Sequence, residues 1–278
     1  MDHFTLKNGN SMPCIGLGTW QITDRQVVSE VVSSAYDIGY RLIDTAAAYS
    51  NEIAISKAIE TKGIPRQNLF LSDKVWNTSR GYDAVREACR RSLKKLKTDY
   101  LDMYLIHWPA SMKLYPDWEQ INADTWGGME SLYEEGLVKN IGVCNFKVHH
   151  LEALKKTAKI IPFVDQIELH PGMPQTDILD YCMSEGIRVE ASSPFGTGSV
   201  LSNDVLKIIA SSKGVTEAQI TLRWIYQKGV VSIPKSSNPE RLQSNIDIFD
   251  FSLSVDEMKR IDGIPFCGGL GIDPDEVE

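Results

Sequence analysis

Three strand-like runs each end on a polar residue, and together those residues could move a proton. RLID delivers Asp44, LFLSDKV delivers Lys74 and YLDMYLIHWP delivers His107, with Tyr49 five residues beyond Asp44. Asp44 and Lys74 are 30 positions apart, and Lys74 and His107 are 33 apart. One strand, one helix and two loops fill about that length, so the three residues fall at equivalent ends of consecutive βα units. Parallel strands wound this way gather those ends on one rim. Tyrosine, with an ordinary pKa of about 10, is a weak acid at neutral pH. A lysine beside Tyr49 stabilises the tyrosinate and is expected to lower that pKa by roughly one or two. Asp44, buried at its strand end, pairs with Lys74 and keeps it charged. His107 adds a donor toward a substrate oxygen. The set suits delivery of a proton to a carbonyl oxygen as hydride reaches its carbon, the oxygen being held by Tyr49 and His107.

Taken singly, each residue has an ordinary explanation: a half-buried tyrosine in a loop, or a local cap or salt bridge at a strand end. Their recurrence on successive strand ends of one barrel carries the weight. A metal-dependent hydrolase using Asp44, His107, Glu168 and His170 is the rival, because ELHP sets Glu168 and His170 on one face of a strand. With no HxH or HExxH cluster and only five histidines, no metal is expected. His149 and His150 are expected at the surface and His170 as a hydrogen-bonded structural residue.

The elements that must position these residues alternate along the chain. HFTLKNGNSMP reads as a hairpin turning at Asn8-Gly9 and serving as a lid on one barrel end. A helix begins near Asp24, a suitable N-cap, carries the apolar stripe Val27, Val28, Val31, Val32 and Ala35, and stops at Gly39. Helices are expected at about 51–62, 82–97, from the Trp118 region to Glu135, to about Ala158, at 176–186, 202–212 and 216–227. Strands are expected at LVKNIGVCN, PFVDQIEL, IRVEAS and VVSIP, and Asn238-Pro239-Glu240 has the cap, proline and acid order of a helix start. Eight such alternations without a linker predict an α/β fold, a (β/α)8 TIM barrel with an N-terminal hairpin lid, occupying residues 1–278 as one domain.

The net charge of −8, with no basic run longer than two, argues against nucleic acid or an anionic membrane as partner. No apolar stretch approaches the roughly 18 residues of a membrane span, and no signal core opens the chain; a cytoplasmic enzyme is expected. Five widely spaced cysteines read as free, mostly buried thiols.

DTAAAYSNE, LSDKVW, LIHWP, GVCNF, QIELHP and IPKSSNPERLQSN occur in the order and spacing of aldo-keto reductases, and nearly the whole chain resembles that family, its short microbial members most. The resemblance implies an oxidoreductase, a monomer as family members often are, with a weak dimer left open, that reduces small aldehydes, dicarbonyls or keto sugars with NADPH. Tyr49 would be the general acid, Asp44 and Lys74 its tuning pair, and His107 the residue that orients the carbonyl. An NADP(H)-binding regulatory barrel with little turnover is the alternative.

For the cofactor, no GxGxxG turn opens a helix, so a Rossmann module is not indicated. Lys235 and Ser236 at a strand end and Arg241 in a first helical turn could grip a phosphate, which favours NADPH over NADH. The resemblance adds Asn145 and Gln166 as holders of the nicotinamide carboxamide, Ser193 and Phe195 on a loop over the pyrophosphate, and Thr19 and Asn245. Ser192 stands where the family carries a stacking aromatic, Cys144 where serine is usual, and Ser244 where a longer side chain touches the adenine. Trp20, Trp76 and Trp108, from loops on the catalytic rim, are expected to wall the substrate pocket, with Tyr115 and Trp118 as further aromatics there; Trp118 is expected to pack its loop.

Overall fold

The computed structural model describes residues 2–277. His3–Thr5 (β1) and Ser11–Pro13 (β2) pair as the antiparallel hairpin, with Gly9 at φ 86° in its turn. Strand and helix then alternate: β3 (Gly16–Gly18), α1 (Arg25–Ile38), β4 (Leu42–Asp44), α2 (Glu52–Lys62), β5 (Phe70–Val75), α3 (Tyr82–Leu96) and β6 (Met103–Ile106). The alternation continues with α4 (Trp118–Glu134), β7 (Ile141–Cys144), α5 (Val148–Lys155), β8 (Val164–Glu168), α6 (Thr176–Glu185) and β9 (Arg188–Ser192). Helices α7 (Asp204–Lys213) and α8 (Glu217–Gln227) precede β10 (Val231–Ser232), and α9 (Pro239–Ile246) and α10 (Val255–Asp262) follow it.

Strands β3 to β10 pair in parallel in chain order. The seam closes through a parallel bridge between Ile15 and Ser232 and a bond from Gly18 N–H to Pro234 O at 3.1 Å. A Cβ on Gly18 would meet Ile233 O at 2.6 Å, so glycine is what lets the first and last strands approach. All six residues of β5 are buried, as expected where helices cover the outside and side chains fill the inside. The hairpin covers the end opposite the rim that carries Asp44, Lys74 and His107: Asn8 and Asn10 both donate to Oδ1 of Asn140, just before β7, at 2.9 Å.

Local signals explain the helix ends. Asp24 accepts from the N–H groups of Gln26 and Val27 at 2.9 Å, and Gly39 stops α1 at φ 120°. Asn238 accepts from Arg241 N–H at 3.0 Å with Pro239 in the first turn, where its missing N–H costs nothing. Two expected strands are shorter than their apolar runs: before β7, Val138 makes only an isolated bridge to Leu101, and β10 is two residues long. Helix α10 was not expected, although Ser254 and Glu257 form a capping box at its start. The five cysteines are free, four of them buried and Cys267 half-buried. Among the described residues no helix is long and apolar enough to cross a membrane.

Candidate active site

Asp44, Lys74 and His107 do meet at the C-terminal rim. Lys74 is fully buried, and its Nζ donates to Asp44 Oδ1 at 2.7 Å, to Asp44 Oδ2 at 2.6 Å and to Thr45 O at 2.9 Å. Tyr49 Oη lies 3.4 Å from the same nitrogen. A short 3-10 turn, Ala47–Tyr49, brings the tyrosine back over the lysine. Asn51 fixes that loop: its amide donates to Thr19 O and Ile22 O at 2.9 and 3.1 Å and accepts from Thr45 Oγ1 at 2.6 Å. The His107 ring stands edge-on to Tyr49 and to Trp76, at 5.7 and 5.1 Å between centroids.

Burial and charge set the protonation states. For Lys74, burial pulls the ammonium down, but the Asp44 carboxylate outweighs it and holds the pKa above its ordinary value. The expected fall for Tyr49 does not occur. Burial pushes its hydroxyl up to about 12, with Lys74 pulling against burial and Asp44 adding to it. Burial and then the Lys74 charge hold His107 well below the usual histidine range, so the ring is neutral. The centre is therefore a protonated phenol beside a locked ammonium and a neutral imidazole.

A cleft of about 760 Å³ opens over this centre. Asn145, Gln166, Ser193, Phe195, Lys235 and Arg241 line it, as do Trp20, Trp76 and Trp108. Lys235 and Arg241 are exposed and have no acidic partner among the described residues, so both are free to meet an anion. Ser192 also lines the cleft. Thr19, Ser236 and Asn245 are buried and do not line it. Thr19 Oγ1 donates to Asp44 O at 2.8 Å, and Ser236 Oγ accepts from Asn238 N–H at 3.1 Å. Tyr115 is likewise off the cleft, its hydroxyl accepting from Arg80 at 3.2 Å. Trp118 opens α4 and packs edge-on against His149 and His150.

The C-terminal segment adds a wall that the sequence did not announce. Leu270, Ile272 and Pro274 line the cleft, and the N–H groups of Leu270 and Gly271 donate to the Glu168 carboxylate at 2.7 and 2.9 Å. Lys147 Nζ reaches Asp273 Oδ1 at 2.5 Å and Asp275 Oδ2 at 2.8 Å. The only sequence signal was acid content after a glycine run, and it names no partner. His150, expected at the surface, is fully buried between Phe146 and Trp118.

The rival metal set does not assemble. Glu168 and His170 meet at 3.5 Å, but Asp44 is taken by Lys74. The one grouping of metal-ligating type among the described residues is His149, His150 and Asp275. There His150 Nδ1 accepts from Lys147 N–H at 3.1 Å, so a neutral ring carries its proton on Nε2, 3.1 Å from Asp275 Oδ1, and has no lone pair there for a cation.

Comparison with known proteins agrees with this geometry. The model of the "Aldo/keto reductase family" matches residues 14–265. Glyoxal reductase of Bacillus subtilis (strain 168) is 44% identical over 99% of this chain and 97% of its own length. The crystal structure of MGS-M4, an aldo-keto reductase enzyme from a Medee basin deep-sea metagenome library, superimposes with a TM-score of 0.93 at 39% identity, covering 100% of both chains. A variant of Gox0644, solved in complex with NADPH, gives 0.91 at 37% identity over 100% of this chain and 98% of its own. With this barrel, this rim and a family match across nearly its whole length, the chain belongs to the aldo/keto reductase family.

Proposed function

We propose that this chain reduces small aldehydes and dicarbonyls to alcohols with NADPH, and that Tyr49 is the proton donor. One observation carries the reading: the Tyr49 hydroxyl sits 3.4 Å from a lysine whose charge is fixed by a bidentate, fully buried contact to Asp44. The cleft residues fit the coenzyme, since two unpaired cations, Lys235 and Arg241, face a space large enough for a dinucleotide. Asn145 and Gln166 would hold its amide end, and Ser193 and Phe195 its middle. Bound NADPH supplies hydride to the substrate carbon.

The chain's own residues then act on the oxygen. Neutral His107 donates a hydrogen bond to the carbonyl and orients it. Tyr49 gives its proton to that oxygen as negative charge develops there, and Lys74 stabilises the tyrosinate left behind. A phenol held near 12 keeps its proton at neutral pH, as a proton donor must. Trp20, Trp76 and Trp108 offer an apolar wall that excludes water and suits uncharged substrates, and glyoxal reductase among the relatives is in keeping with a small dicarbonyl.

The test is loss of nicotinamide absorbance with NADPH, and separately NADH, over a panel of aldehydes, dicarbonyls and keto sugars, for wild type and Tyr49→Phe. Wild type should turn over with NADPH. Tyr49→Phe should lose at least about a thousandfold in kcat with NADPH affinity within about twofold. Unchanged turnover in Tyr49→Phe would remove Tyr49 as the donor, and NADPH binding by wild type without turnover would favour a regulatory barrel.

A further inference from the structure

We infer that Glu190 is a positioning residue: it fixes the Gln166 amide with its nitrogen toward the barrel interior and its carbonyl oxygen toward the cleft. Gln166 on β8 and Glu190 on β9 are direct neighbours in the parallel register, so their side chains share the interior face. Gln166 Nε2 donates to Glu190 Oε2 at 2.6 Å and to Asp44 Oδ1 at 3.1 Å. An amide nitrogen has two N–H groups, and these contacts use both.

The reverse amide orientation would press Oε1 against two acceptors. Asp44 cannot relieve that clash by taking a proton, because Lys74 holds it as a carboxylate through two contacts of 2.6 and 2.7 Å. Burial and then the Asp44 charge push the Glu190 carboxyl up to about 8. A proton on its unpartnered Oε1 leaves Oε2 an acceptor. Gln166 Oε1 has no protein partner among the described residues, and Gln166 lines the cleft. Whatever meets Gln166 from the cleft must therefore bring an N–H or O–H.

This inference rests on the NADPH reading, in which the arriving group is the carboxamide –NH2 of the nicotinamide. Glu190 itself is fully buried and does not line the cleft. Its effect passes through Gln166, and it makes the site selective for a donor at that one point of the coenzyme.

The experiment compares binding of NADP+ and its 3-acetylpyridine analogue, in which a methyl replaces the amide –NH2, by quenching of tryptophan fluorescence. Wild type, Glu190→Gln and Glu190→Leu are titrated with both. Wild type should prefer NADP+ by about tenfold, the worth of one hydrogen bond at a desolvated acceptor. Glu190→Gln should keep that ratio, since its amide oxygen can take the same N–H. Glu190→Leu should shrink it to about threefold or less, because only Asp44 then orients Gln166. General damage to the barrel would weaken both ligands and leave their ratio unchanged.

A wild-type ratio near one, or a ratio in Glu190→Leu equal to that of wild type, overturns the inference. Should the leucine variant not fold, Glu190→Ala removes the same acceptor without added bulk. Failure of NADP+ to bind wild type at all would instead sink the coenzyme reading.

Discussion

Lys74 shows how much of this site depends on a single charge. It lies in the barrel interior, and the Asp44 carboxylate does most to keep it ionised there. Lys74→Met should cost about 3–5 kcal/mol of stability, because it leaves Asp44 buried and uncompensated. Adding Asp44→Asn should recover part of that loss, since the double variant has no orphaned charge. Urea melts of the two single variants and the double variant measure the coupling, and strictly additive losses would mean that the pair does not act as a unit. Both residues could be found in the sequence because each ends a strand-like run, and strand ends of a parallel barrel share a rim. The Tyr49 hydroxyl is different. Its neighbours could be named from spacing, but its pKa could not, because burial beats the Lys74 charge there and burial depends on how the Trp76 and His107 loops close over it. Asn51 was equally silent: its hold on Thr19, Ile22 and Thr45 follows from loop geometry, which residue type alone does not encode.

At the scale of elements, the strands and helices followed from periodicity and caps, whereas the segment after α10 did not. Its glycines and acids carry no period, and partners such as Glu168, bonded by Leu270 and Gly271, lie more than 100 positions away in sequence. Burial raises the Glu168 carboxyl, but the His170 contact and the two N–H donors outweigh it and hold the group below its ordinary range. Glu168→Ala removes both acceptors and should free Leu270 and Ile272 from the cleft wall. We expect KM for aryl aldehydes to rise by about threefold to tenfold, the worth of the lost ordering, with kcat within about twofold. Steady-state kinetics on a small and a large aldehyde checks this, because the small one should be hardly affected. An equal fall in kcat for both would place Glu168 in the chemistry and not in the wall.

For the molecule as a whole, buried titratable groups tie stability to pH in two opposite senses. His107 and His150 are held below the ordinary histidine value, His150 near about 4, mainly by burial. Their contribution is present above about 6.5 and is lost as the pH falls, because the unfolded chain takes up protons that the fold refuses. Asp73 and Glu190 are pushed up, to about 7 and about 8, again by burial first, with Glu52 adding at Asp73 and Asp44 at Glu190. Their contribution is full below the unfolded carboxylate value of about 4 and is lost as the pH rises through 7 and 8, because the fold keeps protons that the unfolded chain has released. Between about pH 4 and 6.5 the two sets oppose each other; above that only the carboxyls act, and stability should fall toward pH 8. Glu190→Gln removes one of those carboxyls while keeping an acceptor for Gln166. Its melting temperature should therefore decline less than that of wild type between about pH 5.5 and 8.5, by a few degrees for a chain of this size. Parallel decline of the two proteins over that range would mean that Glu190 holds no proton in the fold, and that the interior of the barrel carries the charges of both Asp44 and Glu190 around a single lysine.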